Sequence, residues 1–279
     1  MAEVQTNFPG APAKRPLALV TGASSGIGEA FARALAARGH DLALVARRAD
    51  RLEALAAELS ERHGIDAFAV PADLSLLGAN DTVLDAVEAR GRRVEVLVNN
   101  AGFSIAQSFA DVSWSRQQDF LMTLVVNACG LAHGVIPGMV SRGSGRIINV
   151  GSLAGFAPGV AGHTLYPGAK SLMLTFSQAL DAEYQSKGLK VTVVCPGFTK
   201  TEFAQANGTG SVMEEAPRRL FQTADQVVTA ALKANDRGKV VVVPGWHNAV
   251  AAAVLHYLPQ GLVRWALMKG SAKYHLAAD

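Results

Sequence analysis

The feature that most constrains this chain is a regular alternation of short apolar runs with longer segments of helical period. From Leu17 onward, runs rich in Val, Leu and Ile are separated by segments whose apolar residues recur every three or four positions. This alternation is typical of βαβ units, whose parallel strands are covered by helices on both faces of the sheet. The predicted strands are 17–20, 42–46, 67–70, 94–98, 146–150, 190–194 and 239–243. We therefore expect an α/β fold with an open, doubly wound, seven-stranded parallel sheet.

Helical signals fill the segments between these strands, and several end at glycines, which often terminate helices. The predicted helices are 29–38, 51–62, 80–90, 114–140, 171–187 and 225–235. No repeat or low-complexity linker divides the chain, so we expect one domain over 16–245 with a helical extension over 246–279. Residues 1–15 lack the apolar run of a signal peptide and are expected to form a flexible arm. Segment 197–223 has weak periodicity, and we expect a lid there.

Composition excludes several classes of protein. With 49% hydrophobic and 18% charged residues, the chain is not disordered, and its net charge of +3 is scattered, which argues against nucleic acid as a partner. Cys129 and Cys195 lack the spacing of a disulfide framework or a zinc site, so we expect no metal and a reducing, cytoplasmic setting. No run of 18 uninterrupted apolar residues occurs, and we expect no membrane span.

A glycine-rich stretch, TGASSGIG at 21–28, directly follows the first strand and precedes a helical segment. Glycines permit a tight turn and let backbone N–H groups approach a pyrophosphate at the positive end of the helix. The alternative is a plain strand-to-helix turn. The position of the glycine-rich stretch in the first βα unit favours a dinucleotide-binding loop.

The end of the second strand indicates which dinucleotide is bound. Enzymes selective for NAD usually carry Asp or Glu there to bind the ribose 2′-OH, and this chain has Ala46 instead. Arg47 and Arg48 follow, and a guanidinium group can hold a 2′-phosphate through paired charge-assisted hydrogen bonds. We therefore predict NADP(H); the alternative is that both arginines are merely solvated at the start of the next helix.

Three residues form a candidate catalytic group. Tyr166 and Lys170 stand at positions i and i+4 of a helical segment and so share a face. A neighbouring ammonium lowers the pKa of a phenol, which would let the pair pass a proton. Ser152 follows the fifth strand, where its hydroxyl could hold a carbonyl oxygen. Alone, the Tyr/Lys spacing is also compatible with an ordinary amphipathic helix.

Taken together, these motifs resemble the short-chain dehydrogenase/reductase family in order and spacing over about residues 16–245. The matching motifs are TGASSGIG at 21–28, Asp73 in PADLS, NNAG at 99–102, Asn127 in VNACG, Ser152, YPGAK at 166–170 and PGFTKT at 196–201. The resemblance implies a Rossmann-like fold and hydride transfer between a nicotinamide and a carbonyl or alcohol carbon. The chain departs from the pattern at Pro167 and Gly168, which are poor helix-interior residues.

The resemblance also implies roles for individual residues. Tyr166 would be the general acid in reduction, Lys170 would lower its pKa and hold the nicotinamide ribose, Ser152 would orient the substrate oxygen, and Asn127 would help hold a water relay. The implied cofactor-binding residues are Gly22, Ser24, Ser25, Gly26, Ile27, Gly28, Arg47, Arg48, Asp73, Leu74, Asn100, Ala101, Gly102, Tyr166, Lys170, Pro196, Gly197, Thr199 and Thr201. Of these, Asp73 and Leu74 would meet the adenine and the last four would border the nicotinamide. Asn99 and Gly102 could instead be purely structural.

Loops at the carboxyl edge of such a sheet determine the substrate. Segment 155–165 and the segment after Thr201 are apolar, with Phe156, Val160, Leu165 and Phe203, so we expect a lipophilic ketone, a 3-oxoacyl thioester or a steroid-like compound. His163 could line the pocket or be a loop residue. The basic pair Arg218 and Arg219 could meet a CoA phosphate or be solvated surface.

The apolar stretches 246–258 and 262–268, separated by Pro259, have three interpretations. They could form a wall of a lipophilic pocket, a contact between subunits of a homodimer or homotetramer, or, least favoured, a helix at a membrane surface. Two functions remain: an NADP(H)-dependent carbonyl reductase, which the complete catalytic group favours, or a non-catalytic NADP(H)-binding regulator on the same fold.

Overall fold

The strands form where the sequence places β-branched and Leu-rich runs. The structure is a computed structural model that describes residues 15–159, 161–202 and 220–275, with side chains up to residue 268. The strands are β1 (Leu17–Thr21), β2 (Asp41–Ala46), β3 (Ala67–Pro71), β4 (Val94–Asn99), β5 (Gly145–Val150), β6 (Leu189–Val194), β7 (Thr199–Lys200), β8 (Gln222–Thr223) and β9 (Val241–Val242).

Seven of these strands make one parallel sheet in the order β3-β2-β1-β4-β5-β6-β9, which confirms the predicted fold class. Strand β9 is shorter than predicted because it pairs with β6 only at Val193 and Val194. Strands β7 and β8 form a separate two-stranded parallel pair. The strand order reverses between β1 and β4, so the loops that follow these two strands flank a crevice at the carboxyl edge.

Helices connect the strands. They are α1 (Gly26–Ala37), α2 (Ala49–His63), α3 (Ala79–Glu88), α4 (Trp114–Leu121), α5 (Asn127–Arg142), α6 (Tyr166–Tyr184), α7 (Ala224–Asp236), α8 (Trp246–Tyr257) and α9 (Gln260–His275).

Two helix predictions need correction. The predicted single helix 114–140 is interrupted by a π-helical turn at Met122–Val126, which shifts the face that α5 presents. Helix α6 begins at Tyr166, before the predicted range 171–187, as the helical spacing of Tyr166 and Lys170 required; Pro167 lies in its first turn, where no backbone donor is needed.

The core lies on both faces of the sheet, as continuously apolar strands require. Leu42, Leu44 and Val98 pack with α1, α2 and α7 on one face. Leu19 and Leu97 pack with α3, α5 and α6 on the other. Because both layers bury the strands, the functional side chains are carried by the loops at the ends of the sheet.

By length and mean hydropathy alone, segment Trp114–Arg142 could cross a membrane, although polar residues interrupt its apolar runs. In this structure its residues Leu131, Ala132 and Met139 are completely buried in the core beside the sheet. We therefore assign the segment to the core.

Some predictions lie outside the described residues. The flexible arm falls almost entirely within 1–14, most of the lid within 203–219, and Val160, Phe203, Arg218 and Arg219 are likewise not described. The extension is described as α8 and α9, whose outer surfaces expose Trp246, Tyr257 and Trp265.

Candidate active site

The glycine loop connects β1 to α1 at the carboxyl edge of the sheet. Gly22 and Gly26 have positive φ angles of 67° and 60°, which favour glycine. A Cβ atom at Gly22 would lie 2.6 Å from Asn100 Nδ2, and one at Gly28 would lie 2.1 Å from the Gly22 carbonyl oxygen. Ser25 occupies the N-cap of α1 without a side-chain hydrogen bond to the first turn. The loop thus leaves backbone donors available at a helix N-terminus and fits a dinucleotide pyrophosphate.

The segment after β4 holds this loop in place. Asn100 Nδ2 donates to the carbonyl oxygens of Thr21 at 2.9 Å and Gly22 at 3.3 Å. The Thr21 hydroxyl in turn accepts from the N–H groups of Asn100 and Ala101 at 2.9 and 3.0 Å. Gly102 packs against Leu124, where a Cβ would approach to 3.2 Å. The structure therefore gives Asn100 a clear task, which is to fix the conformation of the glycine loop.

The two predicted phosphate-binding arginines differ in position. Arg48 donates to the hydroxyls of Ser24 at 2.9 Å and Ser25 at 3.0 Å, on the glycine loop. Arg47 is exposed, and its positive charge helps to lower the pKa of Asp73. Arg48 is therefore better placed than Arg47 to hold a phosphate on the adenosine ribose, together with the two serine hydroxyls.

Asp73 and Leu74 follow β3 on the adenine side of the predicted cofactor site. Partial burial would raise the pKa of Asp73, but hydrogen bonds from the Ser75 N–H (2.9 Å) and hydroxyl (2.8 Å), with the charge of Arg47, lower it. Leu74 is buried. Asp73 is thus held as a carboxylate, which can accept a hydrogen bond from an adenine amino group.

Ser152, Tyr166 and Lys170 come together as predicted. Ser152 caps the short helical turn Leu153–Phe156, and its hydroxyl accepts from Ala154 N at 3.1 Å and hydrogen-bonds Tyr166. Lys170 Nζ lies 5.7 Å from the centroid of the Tyr166 ring and donates to the Val150 carbonyl oxygen at 2.8 Å. Helix α6 therefore presents Tyr166 and Lys170 on one face, beside the end of β5.

The pKa values differ from the expected pattern. Burial raises the pKa of Tyr166, and the hydrogen bond with Ser152 only partly offsets it. Burial also lowers the pKa of Lys170 to about 8. The expected lowering of the Tyr166 pKa by Lys170 is absent because the ammonium is directed at the Val150 carbonyl. Tyr166 is therefore a neutral phenol near pH 7 and holds a proton that it can donate.

Asn127 has a different environment from the one implied by the family resemblance. Its buried Nδ2 donates to the carbonyl oxygens of Leu74 at 2.9 Å and Leu76 at 3.0 Å, and its Oδ1 accepts from Asn80 N at 3.0 Å. These bonds tie α5 to the loop before α3 and to the first turn of α3. The relay role stays a prediction, and any relay would have to use main-chain groups because the side chain is engaged elsewhere.

Asn99 is structural in this fold. Its Nδ2 donates to the Ala128 carbonyl oxygen and to Asn149 Oδ1, both at 3.0 Å. Its Oδ1 is buried without a hydrogen-bond partner and lies by a small cavity that Thr123 and Lys170 also line. These contacts favour a purely structural role for Asn99, which was one of the two possibilities that the sequence left open.

The segment after β6 crosses the glycine loop. A Cβ at Gly26 would lie 3.1 Å from the Thr201 side chain, so the two chains are close. Thr199 is buried, with its hydroxyl donating to the Gly197 carbonyl at 3.1 Å, and the Pro196 carbonyl accepts from Leu153 N at 3.0 Å. These contacts place segment 196–201 between the glycine loop and Ser152, where a nicotinamide would lie.

Four residues near the site were missed by the sequence analysis. Arg51 and Glu202 form an ion pair, Asn248 of α8 lies against Gly197, and Phe120 packs 6.4 Å from the Tyr166 ring. Only Arg51 carried a signal, because it stands one helical turn after Arg47 and Arg48. Glu202 directly follows Thr201, but nothing in the sequence indicates that it pairs with arginines that follow β2. Phe120 and Asn248 approach the site only through the fold.

Both cysteines lie apart from any disulfide in the described part of the chain. Cys129 and Cys195 are free cysteines, and burial raises the pKa of Cys195 to about 12, so its thiol stays protonated. Among the residues that the structure describes, no cluster of His, Cys, Asp or Glu could hold a metal ion.

The chain is similar in sequence to proteins of a known family. Residues 16–211 match the family model described as short chain dehydrogenase. Over 194 residues the chain is 36% identical to the very-long-chain 3-oxoacyl-CoA reductase of Anas platyrhynchos; the match covers 67% of this chain but only 61% of that enzyme's length.

Solved structures extend the similarity to the C-terminal helices. A short-chain dehydrogenase from Sphingobium yanoikuyae in complex with NADPH is 34% identical, with a TM-score of 0.76 over 95% of this chain and 98% of that one. A bulky-bulky ketone specific alcohol dehydrogenase from Comamonas testosteroni is 30% identical, with a TM-score of 0.72 over 96% and 97%.

Proposed function

The chain belongs to the short-chain dehydrogenase family, and we propose that it is an NADP(H)-dependent ketoreductase acting on a lipophilic carbonyl compound. One observation carries the proposal: Ser152, Tyr166 and Lys170 lie together at the carboxyl edge of the sheet, next to a glycine loop. A hydroxyl, a phenol and an ammonium in this arrangement can hold a carbonyl oxygen and protonate it as negative charge develops there.

Each side chain would contribute a defined step. Bound NADPH would supply the hydride for the carbonyl carbon. Ser152 would hold the carbonyl oxygen, and Tyr166, a neutral phenol at pH 7, would donate its proton to that oxygen. The Lys170 ammonium does not lower the pKa of the neutral phenol, but it lies 5.7 Å from the ring centroid and would stabilise the phenolate once the proton has been donated, since opposite charges attract. The raised pKa keeps the Tyr166 phenol protonated at pH 7, which is the state that the acid of a reduction requires.

The choice of NADP(H) over NAD(H) is supported by the chemistry at the end of β2. Ala46 contributes no carboxylate, and Arg48 lies against the Ser24 and Ser25 hydroxyls. Guanidinium and hydroxyl donors together match a phosphate on the ribose. The NADPH complex of the Sphingobium relative is consistent with this choice.

An apolar substrate is supported by the surroundings of Tyr166. Phe103, Phe120 and Leu165 pack around it. A cleft beside Tyr166 is lined by Ile105, Phe120 and Leu165 and also by three polar residues, Gln107, Gln117 and Thr164. The names of the duck and Comamonas relatives, a 3-oxoacyl-CoA reductase and a bulky-ketone dehydrogenase, suggest acyl thioesters and bulky ketones as the first compounds to test.

Helix α8 is part of the same proposal. His256 of α8 packs edge-on against Phe156, with 6.4 Å between ring centroids, and Asn248 lies against Gly197. Because both partners belong to loops that flank the site, these contacts favour the interpretation of the extension as a pocket wall. A cytoplasmic location and a homodimer or homotetramer complete the proposal.

Spectrophotometric assays of NADPH oxidation against ketones and 3-oxoacyl thioesters of graded length would test this function. We expect turnover that improves with apolar size and is abolished by Tyr166→Phe, which removes the donated proton. Tyr184→Phe, on the same helix, is the matched control and should retain activity. Full activity in Tyr166→Phe would refute the chemistry. NADPH binding without turnover across the panel would favour a non-catalytic regulator.

A further inference from the structure

A carboxylate lies directly on the arginines that face the adenosine ribose. Glu202 follows Thr201, and its Oε2 lies 3.3 Å from Arg48 Nη1. Both of its carboxylate oxygens also accept from Arg51 Nη1, at 3.1 and 3.0 Å. One carboxylate on the loop after β7 therefore engages two guanidinium groups that follow β2.

Arg48 also contacts the glycine loop. Arg48 Nε and Nη2 lie 3.2 and 2.9 Å from the Ser24 hydroxyl, and Nη2 lies 3.0 Å from the Ser25 hydroxyl. Hydrogen bonds from Arg51 and Arg48 lower the pKa of Glu202, so it is anionic at neutral pH. The carboxylate thus occupies two guanidinium groups, one of which also contacts the Ser24 and Ser25 hydroxyls, and guanidinium and hydroxyl groups are donors that a phosphate group would use.

We propose that Glu202 is a coenzyme-specificity residue whose carboxylate competes with the 2′-phosphate of NADP(H) for Arg48 and Arg51. This inference rests on the proposed use of NADP(H). NAD-selective enzymes carry a carboxylate at the end of β2, where this chain has Ala46. Glu202 would supply a carboxylate from a different loop and would thereby reduce the preference for NADP(H) over NAD(H).

The physical basis is a difference in charge. A phosphate monoester carries close to two negative charges at pH 7 and a carboxylate carries one, so the phosphate can displace Glu202 from the arginines. It must break the existing ion pairs to do so, and it is repelled by the carboxylate. A coenzyme with a free 2′-OH meets neither cost. Glu202 therefore weakens the binding of ligands that bear a 2′-phosphate and leaves the others unaffected.

Calorimetric titration with a ligand pair that differs only in this phosphate tests the proposal. Adenosine 2′,5′-bisphosphate and 5′-AMP would be titrated into the wild type, Glu202→Gln and the control Glu58→Gln. Glu58 also pairs with an arginine, Arg33, and its side chain is 45% exposed against 50% for Glu202, so the control removes the same charge elsewhere. NADPH and NADH titrations would repeat the comparison with whole coenzymes.

At low ionic strength, we expect Glu202→Gln to bind the bisphosphate about threefold to fivefold more tightly, in line with exposed ion pairs, and 5′-AMP unchanged. The gain should shrink as salt is added. Unchanged or weaker bisphosphate binding, or an equal gain for both ligands, would overturn the inference. If the proposed use of NADP(H) were wrong, the result would be distinguishable. The wild type itself would bind NADH as tightly as NADPH, and 5′-AMP as tightly as the bisphosphate.

Discussion

Lys170 offers a test in which stability and activity change in opposite directions. Its side chain is 7% exposed, and its ammonium donates to one carbonyl oxygen, that of Val150. Among the described residues it has no ion pair within 4.0 Å. Burial lowers its pKa from 10.5 to about 8, which means that the folded protein disfavours the charged form.

The cost of this charge can be calculated. Each tenfold fall in proton affinity corresponds to about 1.4 kcal/mol, so the change from 10.5 to about 8 amounts to roughly 3 kcal/mol. Lys170→Met removes this cost and also loses a hydrogen bond worth about 1 kcal/mol. We therefore expect Lys170→Met to raise the free energy of unfolding by about 2 kcal/mol at pH 7, while it abolishes turnover.

The pH dependence follows from linkage. The unfolded chain protonates Lys170 below pH 10.5 and the folded protein only below about pH 8. Between these values the unfolded state binds more protons, so the stability of the wild type rises with pH as the burial cost disappears. The cost is fully present below pH 8. The stability advantage of Lys170→Met should therefore shrink steadily as the pH rises from 8 toward 10.5.

Urea unfolding of the wild type, Lys170→Met and Lys233→Met across this pH range would measure the effect. Lys233 is exposed on α7, and its substitution should change stability by less than about 0.5 kcal/mol. A destabilised Lys170→Met at pH 7, or an advantage independent of pH, would refute the reasoning. The expected result would mean that the chain keeps a buried ammonium against its own stability, as functional sites often require.

Three further predictions address Asn127, the arginines and the extension. Asn127→Ala should lower the free energy of unfolding by about 3 kcal/mol, since three buried hydrogen bonds of about 1 kcal/mol each are lost, and urea unfolding that shows less than 1 kcal/mol would contradict this. Arg48→Ala should reduce the ratio of NADH to NADPH dissociation constants by about tenfold and Arg47→Ala by less; a larger effect of Arg47→Ala would contradict this ranking of the two arginines. Deletion of 247–279 should raise KM for apolar ketones with unchanged NADPH affinity, whereas a changed oligomer size or lost binding to anionic vesicles would favour a subunit contact or a membrane-surface helix.

Local patterns explain why so much of the fold could be predicted. The seven strands are largely apolar because both faces of the sheet are covered, and each contains or overlaps its predicted range. The i, i+4 spacing of Tyr166 and Lys170 requires only that a helix form around it, which Pro167 permits in the first turn. Predictions of this kind depend on neighbours in sequence and on nothing else.

Other features depended on which distant segments the sheet order brings together. The sequence could present Arg47 and Arg48 as equals, but only the position of Ser24 beside β2 distinguishes them. The sequence could not show that the side-chain amide of Asn127 binds the loop before α3, and the relay role of this residue stays a prediction.

By itself the sequence determined the fold class, the family, the glycine loop and the candidate catalytic side chains, because periodicity and short motifs encode them locally. Only the tertiary structure decided the protonation of these groups and the ion pairs around them. A pKa depends on burial and on charges from other loops, as the changes at Lys170 and Tyr166 illustrate. Glu202 reaches Arg48 and Arg51 for the same reason: parallel strands place their carboxyl ends at one edge, where loops that are far apart in the chain meet.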